Sequence, residues 1–323
     1  MTSPHFSPKQ VSPWKICGIL VLGVFCVSTA AIFIRLALDA SGTAGVGFSL
    51  VLSASRLTLA SIILLPTWAR FKHSPAQKSA IAYSASAGVL LAIHFATWIT
   101  SLSYTSIAAS TTLVTTNPIW VAILSWLWFR ETLSPKTITG IVITLAGGLL
   151  IGLEGSNVDV VGQNPLLGNV LALMGSWSIS LHFLLGREAQ RRGLAIGNHV
   201  AIAYGAAALV LLPLPFFFHT SYLGYPLQVY VWISLMALFS QIFGHTSLNW
   251  AVHQISPTLV TLAILLEPVS SSILGYLVFG EVPSIQVGIG AVIILSGVAI
   301  AALGSRSKSA IPTASNSDSR REQ

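Results

Sequence analysis

The chain has 323 residues, of which 54% are hydrophobic and only 8% are charged, and its mean hydropathy is +0.79. Soluble domains carry about 25% charged residues, so this composition excludes a soluble globular protein and indicates one embedded in a lipid bilayer. Lys and Arg number 16 against 9 Asp and Glu. These basic residues lie mainly in short loops and in the tails, where they orient membrane proteins, and we therefore expect no nucleic-acid partner.

Apolar runs separated by charged and turn residues predict an all-α integral membrane protein with ten transmembrane helices. A helix rises 1.5 Å per residue and needs about 20 residues to cross a bilayer. The predicted spans are 15–38, 46–68, 79–100, 106–129, 135–153, 166–187, 196–218, 228–248, 256–279 and 284–304.

The distribution of basic residues predicts the orientation of these spans. If the N-terminus is cytoplasmic, 14 of the 16 Lys and Arg residues fall on the cytoplasmic side, and the other two, Arg35 and Arg56, lie inside predicted helices. The positive-inside rule then places both termini in the cytoplasm, for a multi-pass protein of the cell (inner) membrane.

The second half of the chain repeats the first. With an offset of 150 positions, residues 106–153 align with 256–303 without a gap, and 15 of the 48 pairs are identical. Apolar bias can produce the Leu and Ile identities, but it does not readily produce Pro118/Pro268, Glu131/Glu281, Gly140/Gly290 and Gly147/Gly297 in one register. Each copy contains five predicted spans, an odd number, so the two copies cross the membrane in opposite directions.

Such inverted repeats are typical of transporters that work by alternating access, with a substrate site near the bilayer midplane at interrupted helices. Here the fourth and ninth spans carry the matching interruptions, Asn117-Pro118 and Glu267-Pro268. Because proline removes a backbone hydrogen bond and kinks a helix, Pro118 and Pro268 are predicted hinge or gating residues; a simple packing kink is the alternative.

One pattern occurs twice in the chain. It consists of an x-Pro step in an apolar run, Phe-x-Glu eleven residues later, and then a Gly-rich apolar helix. This pattern resembles the EamA-type exporters of the drug/metabolite transporter superfamily, and Arg56 before an apolar run ending in Pro66 is similar to that family's arginine. The resemblance covers about residues 15–304. It implies two inverted five-helix halves, a central cavity, and transport of small metabolites such as amino acids, nucleosides or drugs. One departure is Asn117, which stands where Glu-Pro is common.

Two ionisable residues in predicted spans are the leading candidates for substrate binding. A charge at the centre of a span costs about 2.5 to 3.5 kcal/mol, so such residues are usually functional. Glu267 could bind an ammonium group or carry a proton, or it could be a protonated acid bonded between helices. Arg56 could hold a substrate carboxylate, or pair with Glu267 or Asn117. Together the two opposite charges suit an amino acid.

Polar and aromatic side chains at helical spacing complete the predicted site. His94 and Trp98 share one face of the third span, and Gln241 and His245 share a face of the eighth with Asn249. Packing between helices is the alternative for each of these stripes. The full set of substrate-binding candidates is Glu267, Arg56, Asn117, His94, Trp98, Trp120, Trp177, His245 and Gln241.

The sequence therefore predicts a secondary transporter that moves small metabolites by alternating access, and within that class an exporter of amino acids or related compounds. The alternatives are a scaffold or channel, and a membrane enzyme, which no HExxH or similar metal-ligand spacing supports. No Walker-type phosphate loop is present, which argues against ATP as a direct energy source, and we expect no cofactor and no metal. The predicted organisation is an N-terminal tail (1–14), a first repeat (15–153), an extracytoplasmic linker (154–165), a second repeat (166–304) and a disordered tail (305–323). Glycines in the fifth and tenth spans permit close packing, with a homodimer contact as a further expectation.

Overall fold

Helices form almost all of the regular structure in the computed structural model. The structure describes residues 11–43, 45–69, 77–101, 104, 110, 113–130, 132–154, 164–280 and 285–306. We number the helices to match the predicted spans: α1 (Pro13–Ser41), α2 (Val46–Ile63), α3 (Lys78–Ser101), α4 (Asn117–Phe129), α5 (Pro135–Glu154), α6 (Pro165–Arg191), α7 (Ile196–Leu211), α8 (Leu227–Gln254), α9 (Pro257–Phe279) and α10 (Ile285–Arg306). Two short helices, Leu65–Ala69 and Leu214–Phe218, follow α2 and α7.

The predicted fold class, an all-α multi-pass membrane protein, is confirmed. In the part of the chain that the structure describes, seven helices are long and apolar enough to cross a bilayer: α1, α2, α3, α6, α7 with the short helix after it, α8 and α9. The apolar parts of α5 and α10, Pro135–Leu150 and Gly288–Gly304, are shorter. The fourth predicted span lies partly outside the described residues, and its second half is α4.

Most helix ends agree with the predicted spans within a few residues. Helix α7 ends at Leu211, seven residues before its predicted end, and the short helix Leu214–Phe218 completes that span, whereas α8 extends beyond its predicted end. It continues to Gln254, six residues beyond the predicted end, because the polar residues after Leu248 remain helical. The helix stops where Ile255 adopts an extended conformation and Ser256 caps the next helix, its side chain accepting a hydrogen bond from the Leu259 amide at 3.2 Å. An N-cap serine followed by proline is a stronger stop signal than polarity alone.

The packing of the helices shows the inverted repeat directly. In the repeat, α1 to α5 correspond to α6 to α10. The extensive contact of α3 with α6 has its counterpart in α8 with α1, and the contact of α3 with α7 has its counterpart in α8 with α2. Helices α4 and α5 contact their own counterparts, α9 and α10. The two halves are therefore interlocked around one axis.

Glycines at matching positions of the two repeats explain the close contact between α5 and α10. A Cβ atom on Gly140 would lie 2.6 Å from the Gly297 carbonyl oxygen, and one on Gly147 would lie 2.8 Å from the Gly290 carbonyl oxygen. Glycine thus lets the backbones of α5 and α10 touch. The predicted close approach is present and joins two helices of one chain. The homodimer stays a prediction.

Candidate functional site

The two helices that carry the x-Pro steps are both broken just before the proline. In α9, residues Leu265 and Leu266 form a turn between Pro257–Ile264 and Glu267–Phe279. The Leu265 amide donates to the Leu262 carbonyl at 3.2 Å, three residues back rather than four. The equivalent residues 115–116 form a turn before Asn117, where α4 begins. Because proline cannot donate the next bond, both spans restart as new helices at Asn117 and Glu267.

A cavity of about 50 Å³ lies between these restart points and the neighbouring helices. Its walls come from both halves of the repeat and include residues of α1, α2, α3, α4, α6, α8 and α9: Val27, Ala30, Arg56, His94, Phe95, Trp98, Val114, Thr115, Asn117, Ile179, Phe183, His245, Leu248, Ile264 and Glu267. This volume holds a few water molecules, whereas small-molecule sites measure about 300 to 1,000 Å³. The cavity is therefore too small for a typical small-molecule ligand in the conformation described here.

Arg56 is the largest fully buried side chain of the described residues. Its Nη2 donates to Gln241 Oε1 at 2.8 Å, and its guanidinium carbon lies 4.3 Å from the centre of the Phe95 ring, a cation–π contact. The Nε and Nη1 atoms have no hydrogen-bond partner. Since a guanidinium has five N–H donors, at least three remain available.

Other polar atoms of the cavity wall are also buried without a partner. They are Asn117 Oδ1, His245 Nδ1 and Trp98 Nε1, and each belongs to a residue that lines the same space as Arg56. An unpaired buried polar group costs about 1 to 3 kcal/mol, and more than 90% of buried polar groups in proteins are paired. Such a concentration in one cavity indicates a site built to bind a polar molecule or water.

Glu267 lines the cavity together with Arg56 and is half-buried. Within the described residues it forms no ion pair and accepts no hydrogen bond, so the direct Arg56–Glu267 pair considered from the sequence is not formed in this conformation. Asn117, its counterpart in the repeat, is also in the wall and is almost fully buried. The cavity is thus lined by one basic and one acidic side chain that are not paired with each other.

The predicted stripe of α3 does reach the cavity. His94 and Trp98 both line it, with their rings stacked at 5.8 Å between centres, and His94 Nδ1 lies 2.9 Å from the Gly175 carbonyl oxygen of α6. On α8, His245 lines the cavity, and its ring meets Phe95 edge-on at 5.5 Å.

Three other candidates lie elsewhere. Gln241 is fully buried behind Arg56 and is not part of the cavity wall. Trp120 is half-buried on the first turn of α4, and its indole nitrogen donates to Thr116 Oγ1 at 3.3 Å. Trp177 is 46% exposed on α6 and does not line the cavity. Neither Trp120 nor Trp177 lines this cavity, and a role of either residue in substrate binding stays a prediction. Spacing along a helix does not reveal which face points inward.

Sequence reasoning missed a second buried polar cluster, between α3, α6, α7 and α8. His199 is fully buried; its Nδ1 lies 2.9 Å from Ser84 Oγ, and its Nε2 lies 3.2 Å from Asn249 Oδ1. Gln190 donates to the Asn249 carbonyl at 2.8 Å. The signal was available, because His199 is an ionisable residue inside a predicted span. The described residues contain no group of three or more His, Cys, Asp or Glu suited to a metal ion.

Known proteins match both halves of the chain. The model of the EamA-like transporter family matches residues 14–153 and again 166–303. An uncharacterized transporter of Bacillus subtilis, YyaM, is 26% identical over 239 residues, which cover 73% of this chain and 78% of the relative. An uncharacterized transporter of Clostridium kluyveri is 23% identical over 74% of this chain and 78% of its own. A protein crystal structure with 18% identity superposes with a TM-score of 0.71, covering 92% of this chain and 99% of that chain.

Proposed function

The chain belongs to the EamA-like transporter family and is a membrane transporter. We propose that it exports amino acids or closely related small metabolites by alternating access. The proposed location is the cell (inner) membrane. Both termini are proposed to be cytoplasmic, since that orientation leaves 14 of 16 basic residues on the cytoplasmic side.

The observation that carries the substrate proposal is the pair of unpaired opposite charges in one cavity. Arg56 keeps at least three free N–H donors, and Glu267 keeps both carboxylate oxygens free of protein partners in the described residues. A zwitterion carries one carboxylate and one ammonium, so a single ligand can satisfy both residues. The apolar walls around them, such as Ile179 and Phe183, suit an uncharged side chain. Amino acids with apolar side chains therefore fit best.

The proposed mechanism follows from the small size of the cavity and from the two broken helices. A cavity of about 50 Å³ cannot hold leucine, so the halves have to separate on one side to admit substrate and on the other to release it. The turns before Asn117 and Glu267 are the points where the cavity wall can bend, since their backbone hydrogen bonds are already rearranged. We therefore place the hinges at the Pro118 and Pro268 breaks.

Counterflow in proteoliposomes tests the proposal. Vesicles loaded with unlabelled L-leucine are expected to accumulate labelled L-leucine transiently, which a channel does not do. L-leucinamide lacks the carboxylate and 4-methylpentanoate lacks the amine, so the three compounds separate the two charges. Arg56→Gln is expected to remove the preference for leucine over leucinamide, and Glu267→Gln the preference for leucine over 4-methylpentanoate.

The expected loss in each case is about 10- to 150-fold in apparent affinity, the value of a hydrogen bond to a charged group. Trp177→Ala serves as a control, because Trp177 lies outside the cavity. Equal counterflow of all three compounds in the unmodified protein, or no counterflow of any amino acid in a panel, contradicts the amino-acid proposal.

A further inference from the structure

In the described part of the chain, the guanidinium of Arg56 has one hydrogen-bond partner and one aromatic contact. Gln241 Oε1 accepts one of its N–H groups at 2.8 Å, while the Phe95 ring covers one face of the guanidinium plane. Gln241 is fully buried and does not line the cavity, whereas Arg56 does. The remaining donors on Nε and Nη1 have no protein partner. Gln241 therefore holds one donor of the guanidinium and leaves the donors on Nε and Nη1 without a protein partner, in a side chain that lines the cavity.

The residue that bonds to the Arg56 guanidinium, Gln241, is neutral, and this determines how much of the positive charge remains for a ligand. A guanidinium has no acceptor, so the amide oxygen has to face it and the amide nitrogen has to face away. The Nε2 atom of Gln241 is indeed the one without a partner. A carboxylate at this position would make the same hydrogen bond and also cancel the positive charge. An amide fixes the direction of the guanidinium and leaves its charge available to a ligand.

The backbone of Gln241 is itself held in an unusual way. Residues Met236–His245 of α8 form a π-helix, in which the Thr246 amide donates to the Gln241 carbonyl five residues back. The hydroxyl of Tyr204, from α7, donates to the same carbonyl at 3.3 Å. π-Helical turns are rare and are found frequently at functional sites. Here the π-helix and Tyr204 together fix the position from which Gln241 reaches Arg56.

We infer that Gln241 is a positioning residue, which directs the charged guanidinium of Arg56 at an anionic group in the cavity without neutralising it. The identity of that anion as the carboxylate of an amino acid rests on the proposed function. The positioning itself does not, and it is tested with a probe small enough for the cavity in the conformation described here.

The probe is formate, and the measured quantity is the melting temperature of the purified full-length protein in detergent. Chloride is replaced stepwise by formate, so that the ionic strength stays constant. A ligand that binds the folded state raises the melting temperature in a saturable way. The unmodified protein is expected to show this rise, and Arg56→Gln is expected to abolish it. Absence of a saturable rise in the unmodified protein overturns the inference.

Two substitutions of Gln241 separate positioning from a structural role. Gln241→Glu keeps the hydrogen bond to Arg56 and so should fold, but it adds a negative charge; we expect formate affinity to fall at least 100-fold. Gln241→Met keeps the volume and removes the acceptor, and we expect a loss of about 10-fold. Gln190→Met is the matched control: Gln190 is a buried glutamine that bonds to the Asn249 carbonyl and not to Arg56, so formate affinity should not change.

The outcomes distinguish this inference from the proposed function. Unchanged formate affinity in Gln241→Glu overturns the positioning role, even if leucine counterflow succeeds. Formate binding that depends on Arg56 and Gln241, without counterflow of any amino acid, supports positioning and refutes the amino-acid substrate. A fall of the same size in Gln190→Met and Gln241→Met, with Gln241→Glu unaffected, shows a general packing effect and also overturns the inference.

Discussion

A methyl group added at Gly140 should force α5 and α10 apart. The Cβ atom of Gly140→Ala would lie 2.6 Å from both the Gly297 carbonyl oxygen and the Ala301 amide nitrogen. Ordinary van der Waals contacts begin at 3.4 Å, so the backbones have to separate by about 0.8 Å. Both atoms belong to the backbone of a packed helix and cannot rotate away. Overpacking of this kind costs about 1 to 3 kcal/mol.

Gly148→Ala provides the matched control for this substitution. Gly148 lies on the same helix, and its added Cβ would meet only Leu265 Cδ2 at 3.4 Å, an ordinary contact. Both substitutions gain the same higher helix propensity of alanine, about 0.8 to 1 kcal/mol, so this contribution cancels between them. The difference in stability between the two variants is therefore the cost of the contact alone, about 1 to 3 kcal/mol.

Thermal unfolding of the two purified variants in the same detergent measures this difference. Gly140→Ala should melt at least about 2 °C below Gly148→Ala, since 1 kcal/mol corresponds to about 2 to 4 °C in a domain of 150 to 250 residues. A Gly140→Ala variant that melts at or above Gly148→Ala would refute direct backbone contact between α5 and α10.

Three further outcomes are expected. If Glu267 carries a proton during transport, Glu267→Gln should flatten the pH dependence of flux in proteoliposomes; an unchanged profile rules this role out. Gly186→Ala places a methyl group 2.7 Å from His199 Nε2 and should lower the melting temperature, whereas Gly205→Ala, whose nearest neighbour is at 3.4 Å, should not. Trp177→Ala should leave the transport rate unchanged within a factor of about two, because the side chain does not line the cavity; a tenfold loss would place Trp177 in the transport path.

The sequence was sufficient for the architecture because membrane spans and repeats leave long-range patterns in composition. Apolar length defined the spans, and the aligned Pro118 and Pro268 identified the two broken helices. The cost of burying charge also pointed correctly to Arg56 and Glu267 as residues that line a shared cavity. Their roles in substrate binding stay a prediction.

The sequence could not show which side chains contact Arg56 or which candidates line the cavity. Regular spacing placed Gln241 and His245 together on one face of α8, but it could not show that only His245 lines the cavity, whereas Gln241 bonds to Arg56. Likewise, nothing in the spacing of Trp177 shows which side of α6 faces lipid. The hydrogen bond between Arg56 and Gln241 joins residues 185 positions apart, and it depends on packing that no local pattern records.

The reciprocal glycine contacts of α5 and α10 have a consequence for motion. Exchanging the two halves turns the pair Gly140 and Gly297 into the pair Gly290 and Gly147, which is the other contact of the same interface. When an inverted-repeat transporter changes state, each half adopts the conformation that the other half had before. A contact between two equivalent helices, such as α5 and α10, therefore has the same geometry in both states. In the proposed cycle, α5 and α10 therefore keep their mutual contacts while the other helices move around them. The contact of α3 with α6 and the contact of α8 with α1 are instead exchanged by the repeat. In the opposite state of the proposed cycle, each of these two interfaces is expected to adopt the geometry that the other has here.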